Sequence, residues 1–450
     1  MRARRALSIW NRRPSQAARL LDGAGEAALS GRELGLRGWL ALNYERDEAR
    51  AERTARAALQ RGGDTRFATA TLAEILARRG EHDAAVEALR AERARHPAIR
   101  WYALSEADAL VEAGRVAEAQ ALLEAAASDE ELRRHCYKRL SQLSLEHGDL
   151  DDRLRWFGAH VGLAPNYLVY ASDYATLARL QLEAGDRDAA RETLDEGQGI
   201  YARNAELRTL RSEHFEEPAE SPAAPSIAPV SEAAVGAHRI PVRTPFITRR
   251  TGLLPLIDDA TRGRREPADV LALAESAAAA GQGRLLPLEL VDPSPMAKVL
   301  CRFVGKIGPL HSPPGMQGAI MEAGSARVAV AAVAGAVGKL AGRRGWFYRV
   351  AGPATAMIDD VAAAMPPHDH HMVFGPAEPD ALAASLAADL GCAVAIVDAN
   401  HLTGAWVVGA SRGVDREWVT AALNDNPAGN EDEQTPVVLV RPLARAGAAA

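Results

Sequence analysis

The chain has 450 residues, a net charge of −6 and a pI near 6.1, with 48% hydrophobic and 25% charged residues. That balance supports more than one folded core and excludes a global basic field of the kind that attracts nucleic acid. Three widely spaced cysteines, Cys136, Cys301 and Cys392, form no CxxC pair. Neither a disulfide framework nor a structural zinc site is expected, and a reducing cytoplasm is the expected setting.

The basic N-terminus, MRARRALSIWNRRPSQ, has too short an apolar stretch (Ala6 to Trp10) for a signal-peptide core. A repeat follows. Gly80, Gly114 and Gly148 recur at an even interval, the length of a paired-helix repeat unit, and Gly185 follows after a slightly longer one. Each closes a helix-like apolar pattern and opens a turn: RRGEHD, EAGRVA, EHGDLD, EAGDRD. Alanine stands five positions after three of these glycines (Ala85, Ala119, Ala190), and small residues stand seven before them (Ala73, Ala107, Ser141, Ala178). Pro97 and Pro165 stand seventeen after two of them. Glycine at the turn accepts a left-handed conformation, small residues allow close helix approach, and proline ends the second helix. A helical hairpin cannot bury its apolar face alone, so neighbours stack into a solenoid. The pattern resembles tetratricopeptide repeats over about Gln16 to Phe215, with a degenerate first unit in which Arg46 sits near the expected glycine. The last unit is stretched, which suits a capping position. Such an array implies a surface for a protein partner, or else a support that fixes the geometry of the second half or dimerises.

Residues 216–238, rich in proline, alanine, serine and glutamate, read as a disordered linker between repeats (1–215) and a mixed α and β domain (239–450). In that domain, strands are expected at Val270–Leu273, Val394–Val397, Trp406–Val408 and Val437–Val440, and helices at Pro379–Leu390 and Asp415–Leu423. The longest apolar run, Ala326 to Leu340, is shorter than a membrane span and reads as a buried segment. The run His368, Asp369, His370, His371 reads as a histidine-rich surface turn, with metal ligation as the alternative.

Asp398 and Asn400 close a buried-looking strand, the place where α/β proteins put ligands. Asp425, Asp432 and Glu433 form an acidic, glycine-containing loop before the next strand. Hard carboxylate oxygens on loops suit Mg²⁺ or Mn²⁺ beside phosphates; a pair of solvated turns is the alternative.

DNPAGNEDEQTPVVLVRP (Asp425–Pro442) is similar to the pattern DNPxGxxDEQTPxxxxR of the coenzyme F-420:L-glutamate ligases, the gamma-glutamyl ligase family. AIVDAN (Ala395–Asn400), GKLAGRRGWFYRVAG (Gly338–Gly352), FGPAEPD (Phe374–Asp380), Met316-Gln317 and Gln282-Gly283-Arg284 resemble further family segments in the same order. They point to the longer, archaeal-type branch. The resemblance implies an α+β domain in intertwined homodimers that joins glutamate to a carboxylate acceptor, using GTP and Mg²⁺ or Mn²⁺ by way of an acyl phosphate. On the matching positions it assigns catalysis to Asp398, Asn400, Glu433 and Gln434. Nucleotide binding falls to Gln317, Arg349, Arg284, Asn426 and Thr435, and metal ligation to Asp398, Asp425, Asp432 and His401.

Four positions depart from the family. His401 replaces a carboxylate, Ser276 a lysine, Asp360 a glycine, and Glu431 adds a charge. The expected architecture is therefore an all-α tetratricopeptide-like solenoid followed by an α+β ligase-like domain. The expected function is an amide ligase, the alternative being a non-catalytic scaffold or metabolite-binding protein that carries a degenerate ligase domain. No nucleic acid or membrane partner is expected.

Overall fold

The computed structural model describes residues 2–164, 168–201, 204–215, 230–248, 251–304, 309–340, 342–343, 345–355, 357–358, 368–400, 404–429 and 433–443. It divides into two compact units, one of residues 1–169 and 286–372, the other of residues 170–285 and 373–450. This is not the expected division at 216–238. Part of the expected C-terminal domain belongs with the repeats, and the last repeat helices belong with the sheet.

The first unit opens with α1 (Arg2–Ile9) and α2 (Pro14–Asp22), then helical hairpins. These are α3 (Gly31–Leu40) with α4 (Glu48–Arg61), α5 (Arg66–Arg78) with α6 (His82–Arg95), α7 (Tyr102–Glu112) with α8 (Val116–Ala126), and α9 (Glu130–His147) with α10 (Leu150–Val161). The turn chemistry is the one the spacing predicts. Gly80 and Gly114 have φ of 77° and 74°. After α5, the Glu81 amide donates to the Leu76 carbonyl (2.9 Å) and that of Gly80 to Ala77 (3.1 Å). After α7, Arg115 donates to Leu110 (2.8 Å) and Gly114 to Val111 (2.9 Å). Both are Schellman closures that satisfy the last carbonyls of a helix. Gly148 departs from the pattern with φ of −90°. Arg46, one repeat interval before Gly80, takes the left-handed conformation itself, at φ 58°. Ala73, Ala85, Ala107, Ala119 and Ser141 are buried where the hairpins meet. Pro165 lies outside the described residues.

These turns make a prediction. A Cβ on Gly114 would meet nothing within 4 Å, so Gly114→Ala costs only backbone strain, about 1–2 kcal/mol. Arg46→Gly removes the same strain and is expected to leave stability equal or higher. Urea denaturation of the full chain measures both, and equal effects of the two changes would contradict the repeat alignment.

The rest of the first unit is the insert 286–372, with α17 (Pro295–Leu300), α18 (Pro313–Ala323), α19 (Ser325–Leu340) and α20 (Trp346–Ala351). β3 (Leu285–Pro287) and β4 (His371–Val373) pair as a two-stranded sheet. Two expectations are corrected here. The run Ala326–Leu340 is not a buried segment: it lies in α19, which hides Val328 and Ala331 but exposes Val330 (61%), Val333 (66%) and Val337 (50%). Among the described residues no single helix is long and apolar enough to cross a membrane, and α18 with α19 passes such a test only as a pair bent by 116°. The second correction is that His368–His371 is no surface turn, since Asp369 is fully buried and His370 nearly so.

The second unit begins with α11 (Ala171–Glu183), α12 (Arg187–Ile200) and α13 (Ala205–His214). Gly185 repeats the Schellman turn, with φ 83° and Asp186 donating to Gln181 (2.8 Å). Residues 216–229 of the expected linker lie outside the described residues, but its end is ordered as α14 (Glu232–Val235) and the start of β1 (Ala237–Val242). A five-stranded sheet follows from β1, β2 (Val270–Ala274), β5 (Ala393–Asn400), β6 (Gly404–Ala410) and β7 (Val437–Pro442), in the order β1-β7-β2-β5-β6. β2 and β5 are parallel and the other neighbours antiparallel. One face packs Leu271, Leu273, Val394, Ile396, Val437 and Leu439 against α15 (Leu253–Thr261), α16 (Glu275–Gly281) and α21 (Pro379–Leu390). The other packs Ala272, Ala395, Val397, Val438 and Val440 against α22 (Arg416–Leu423). All-helical repeats and a mixed sheet with helices on both faces are thus present.

Candidate functional site

The sheet of the second unit gathers the expected loops at one end. β2 and β5 are parallel, so Ala274 and Asp398–Asn400 finish on the same side. β7 runs antiparallel to β2, with Leu273 opposite Val437, and so brings Gln434–Pro436 to that side. The Ala274 amide donates to Pro436 (2.8 Å) and the Thr244 amide to Gln434 (2.9 Å). β5 and β7 flank β2, so Asp398–Asn400 and Gln434–Thr435 stand two strand spacings apart, roughly 10 Å. The carboxyl ends of parallel strands are where open α/β sheets bind ligands.

The loop before β7 is unusually constrained. Asn426 and Gln434 have φ of 49° and 53°, two of the four non-glycine residues found at positive φ among the described residues. A third, Glu378 (φ 46°), precedes α21 in the FGPAEPD segment. Such conformations cost about 1–2 kcal/mol each and persist where other contacts impose them. Here Asn426 Nδ2 donates to the Gly429 carbonyl (2.8 Å), and the Thr435 hydroxyl donates to the Ala428 carbonyl.

Some expected ligands are kept apart. Val394 and Ile396 put Asp398, by strand alternation, on the face that carries α21, where Trp406 Nε1 donates to it (2.7 Å). Asp425 is on the α22 face. Its carboxylate takes a hydrogen bond from the Val230 amide (2.7 Å) and an ion pair from Arg239, which also reaches the Ala422 carbonyl. Asp398 and Asp425 therefore do not meet in one metal site. Among the described residues no group of three or more His, Cys, Asp or Glu is arranged to hold a metal ion. His401 and Asp432 lie outside the described residues, as do Asp360 and Glu431. Glu433 is exposed, and its carboxylate lies so close to Gly429 that a Cβ there would clash with it.

The expected nucleotide residues are divided. Asn426 and Thr435 belong to the loop just described. Arg284 is buried in the second unit, where Nε donates to the Gly375 carbonyl and the guanidinium lies 5.5 Å from the Phe374 ring centre. Neighbouring Gln282 exchanges two hydrogen bonds with the Ala377 backbone, at 3.0 and 2.7 Å. The segments Gln282–Arg284 and Phe374–Asp380, far apart in sequence, are thus clamped together. Gln317 and Arg349 belong to the first unit; Gln317 Oε1 accepts from the Ser294 amide (3.0 Å), and Arg349 is exposed on α20.

No family model matches the chain, and no curated protein matches it. Among solved structures it is similar to PilW, a widely conserved type IV pilus biogenesis factor, with 17% identity over 46% of this chain and 96% of that one and a TM-score of 0.34. It is also similar to BtubC (BKLC) from P. vanneervenii, with 16% identity over 51% and 94% of the two chains and a TM-score of 0.31.

Proposed function

We propose that the second unit binds a nucleotide and a carboxylate at the end of its sheet and acts as a nucleotide- and divalent-metal-dependent amide ligase of the gamma-glutamyl type. The supporting observation is the convergence of Asp398–Asn400 with Gln434–Thr435 beside the end of β2. In such a reaction the acceptor carboxylate takes the terminal phosphoryl group of GTP and releases GDP. The glutamate amine then displaces phosphate to leave the amide. Magnesium commonly uses only one or two protein carboxylates, completing its shell with water and phosphate oxygens. Asp398 alone would hold it in this way, and the metal would offset the charge of the phosphates. The left-handed Gln434 holds the loop backbone at the sheet end, and the Thr435 hydroxyl ties that loop to Ala428.

A second reading is supported by the pairing of two of the three expected metal carboxylates with other groups of the chain, Asp398 with Trp406 and Asp425 with Arg239. In that case the domain binds a metabolite, or nothing, without catalysis. Calorimetric titration of the full chain with GTP and Mn²⁺ separates the two. The ligase reading expects saturable binding that Asp398→Asn weakens roughly 5- to 150-fold, from loss of about 1–3 kcal/mol. Asp425→Asn, by contrast, is expected to change nucleotide affinity little while lowering stability through Arg239. Failure of the wild-type chain to bind GTP or ATP would sink the ligase reading. Binding without amide formation would support the second.

A further inference from the structure

Arg32, Arg66, Arg100 and Arg134 recur at the same interval as the turn glycines, each at or near the start of the first helix of a hairpin; Arg32 and Arg66 reach the insert, while Arg100 pairs with Asp129 of the repeats. Each described carboxylate of the insert meets a donor from the repeat segment of the same unit. Asp292 takes both Nη atoms of Arg66 (2.9 and 2.7 Å) and Nη2 of Arg32 (3.1 Å). Glu289 accepts from the Ser105 hydroxyl (2.7 Å), and its backbone carbonyl from Arg66 (3.2 Å). Glu322 accepts from Asn11, and Asp369 from Arg139 (2.7 and 2.8 Å) and His135 (2.7 Å).

The donors are not scattered. Apart from Asn11, which follows α1, these donors lie on α3, α5, α7 and α9, the first helices of their hairpins. Arg66 and Arg139 also share a form. Each is divided between a carboxylate of the repeats, Asp64 or Asp108, and one of the insert, Asp292 or Asp369. A bidentate arginine is the donor that selects a carboxylate by geometry as well as charge.

We propose that the first-helix face of the repeats is a binding surface for acidic peptide segments, and that residues 289–292 with Asp369 are its built-in occupant, excluding an external acidic peptide until displaced. This goes beyond the function proposed above, because it names the chemistry of the partner and what stands in its way. A tethered segment competes at an effective concentration in the millimolar range, so a free peptide of equal quality is excluded.

The probe is a fluorescently labelled octapeptide of residues Leu286–Pro293, added to the full chain. Asp292 is half exposed, so Asp292→Asn weakens the internal occupant without opening the core. The peptide is expected to bind the Asp292→Asn chain at least 10-fold more tightly than the wild type, and Arg66→Ala in that background is expected to abolish the gain. Equal binding to both chains would overturn the internal occupant while leaving the acidic-peptide surface intact. No binding to either, with the helical circular dichroism of the variant unchanged, would overturn the surface as well. Hydrogen exchange adds a second readout. Asp292→Asn should raise exchange in residues 288–292 while α4, α6 and α8 stay protected, and a rise spread over all helices would show the segment to be ordinary core.

Discussion

Replacing Arg139 by methionine is expected to lower the stability of the chain by about 3–5 kcal/mol, the usual cost of removing one partner from a buried ion pair. Arg139 is 4% exposed and bridges Asp108 (2.7 and 2.9 Å) to the fully buried Asp369. The Arg139 guanidinium and the His135 hydrogen bond overcome the burial that opposes ionisation of Asp369 and hold its carboxyl well below the usual carboxylate range. Methionine fills much of the volume but leaves that charge with only its histidine partners. Asp108 is partly exposed and can turn to water, so the loss is concentrated at Asp369. Adding Asp369→Leu to Arg139→Met is therefore expected to recover most of the deficit, because two apolar groups of similar size often do as well as a buried pair. Urea denaturation followed by circular dichroism reads both. A loss under about 1 kcal/mol for Arg139→Met would mean that this network is not what fixes the insert.

The repeats were legible because they are local. The glycines fix the period, the Schellman bonds close within a single turn, and even the degenerate turn at Arg46 falls on the period and adopts the expected conformation. The strands β2, β5, β6 and β7 and the helix α21 were legible as apolar runs with clear ends. Their order was not, because it depends on pairings such as Ala274 with Pro436 that no local pattern encodes. The sequence misled most at 286–372. His368–His371 looks like surface because its burial is compensated by Arg139, His135 and Ser105, which are remote in sequence. Ala326–Leu340 looks buried because alanine and glycine raise the apolar count without making a broad face to bury; valines on one side of α19 remain exposed. At the candidate site, the strand ends that bear Asp398 and Gln434 could be read. Which face each carboxylate takes could not, since that follows from strand alternation and from Arg239 on a distant edge strand. The periodic arginines were present in the sequence, but their meaning depends on what they touch.

The stability of the chain is expected to fall as the pH drops from about 6.5 towards 4. Burial holds His368 down to about 4, helped by repulsion from His370 and opposed by Asp369, Asp108 and Glu74. His371 is pushed well below its usual range by burial and by its two histidine neighbours, with ring centres 4.5 and 5.1 Å away. Burial also lowers His135, against the pull of Asp369. The sign follows from proton counting. Below about 6.5 the unfolded chain takes up protons that the folded chain refuses, so stability is complete above that pH and is lost as the pH falls towards the folded values. Each such histidine contributes a slope of about 1.4 kcal/mol per pH unit, so His368 alone removes about 3 kcal/mol by pH 4. Asp369 does not blur this window. Its folded value lies below the ordinary carboxylate range, so its contribution is present above the unfolded value near 3.9 and disappears only in stronger acid. Urea midpoints measured at intervals from pH 7.5 to 4.5 should therefore decline steadily. His368→Gln and His371→Gln should each flatten the decline, whatever they cost at pH 7.5. Profiles of the variants running parallel to that of the wild type would show that these histidines do not govern the acid response, and that the buried network is held by Arg139 and Asp369 alone.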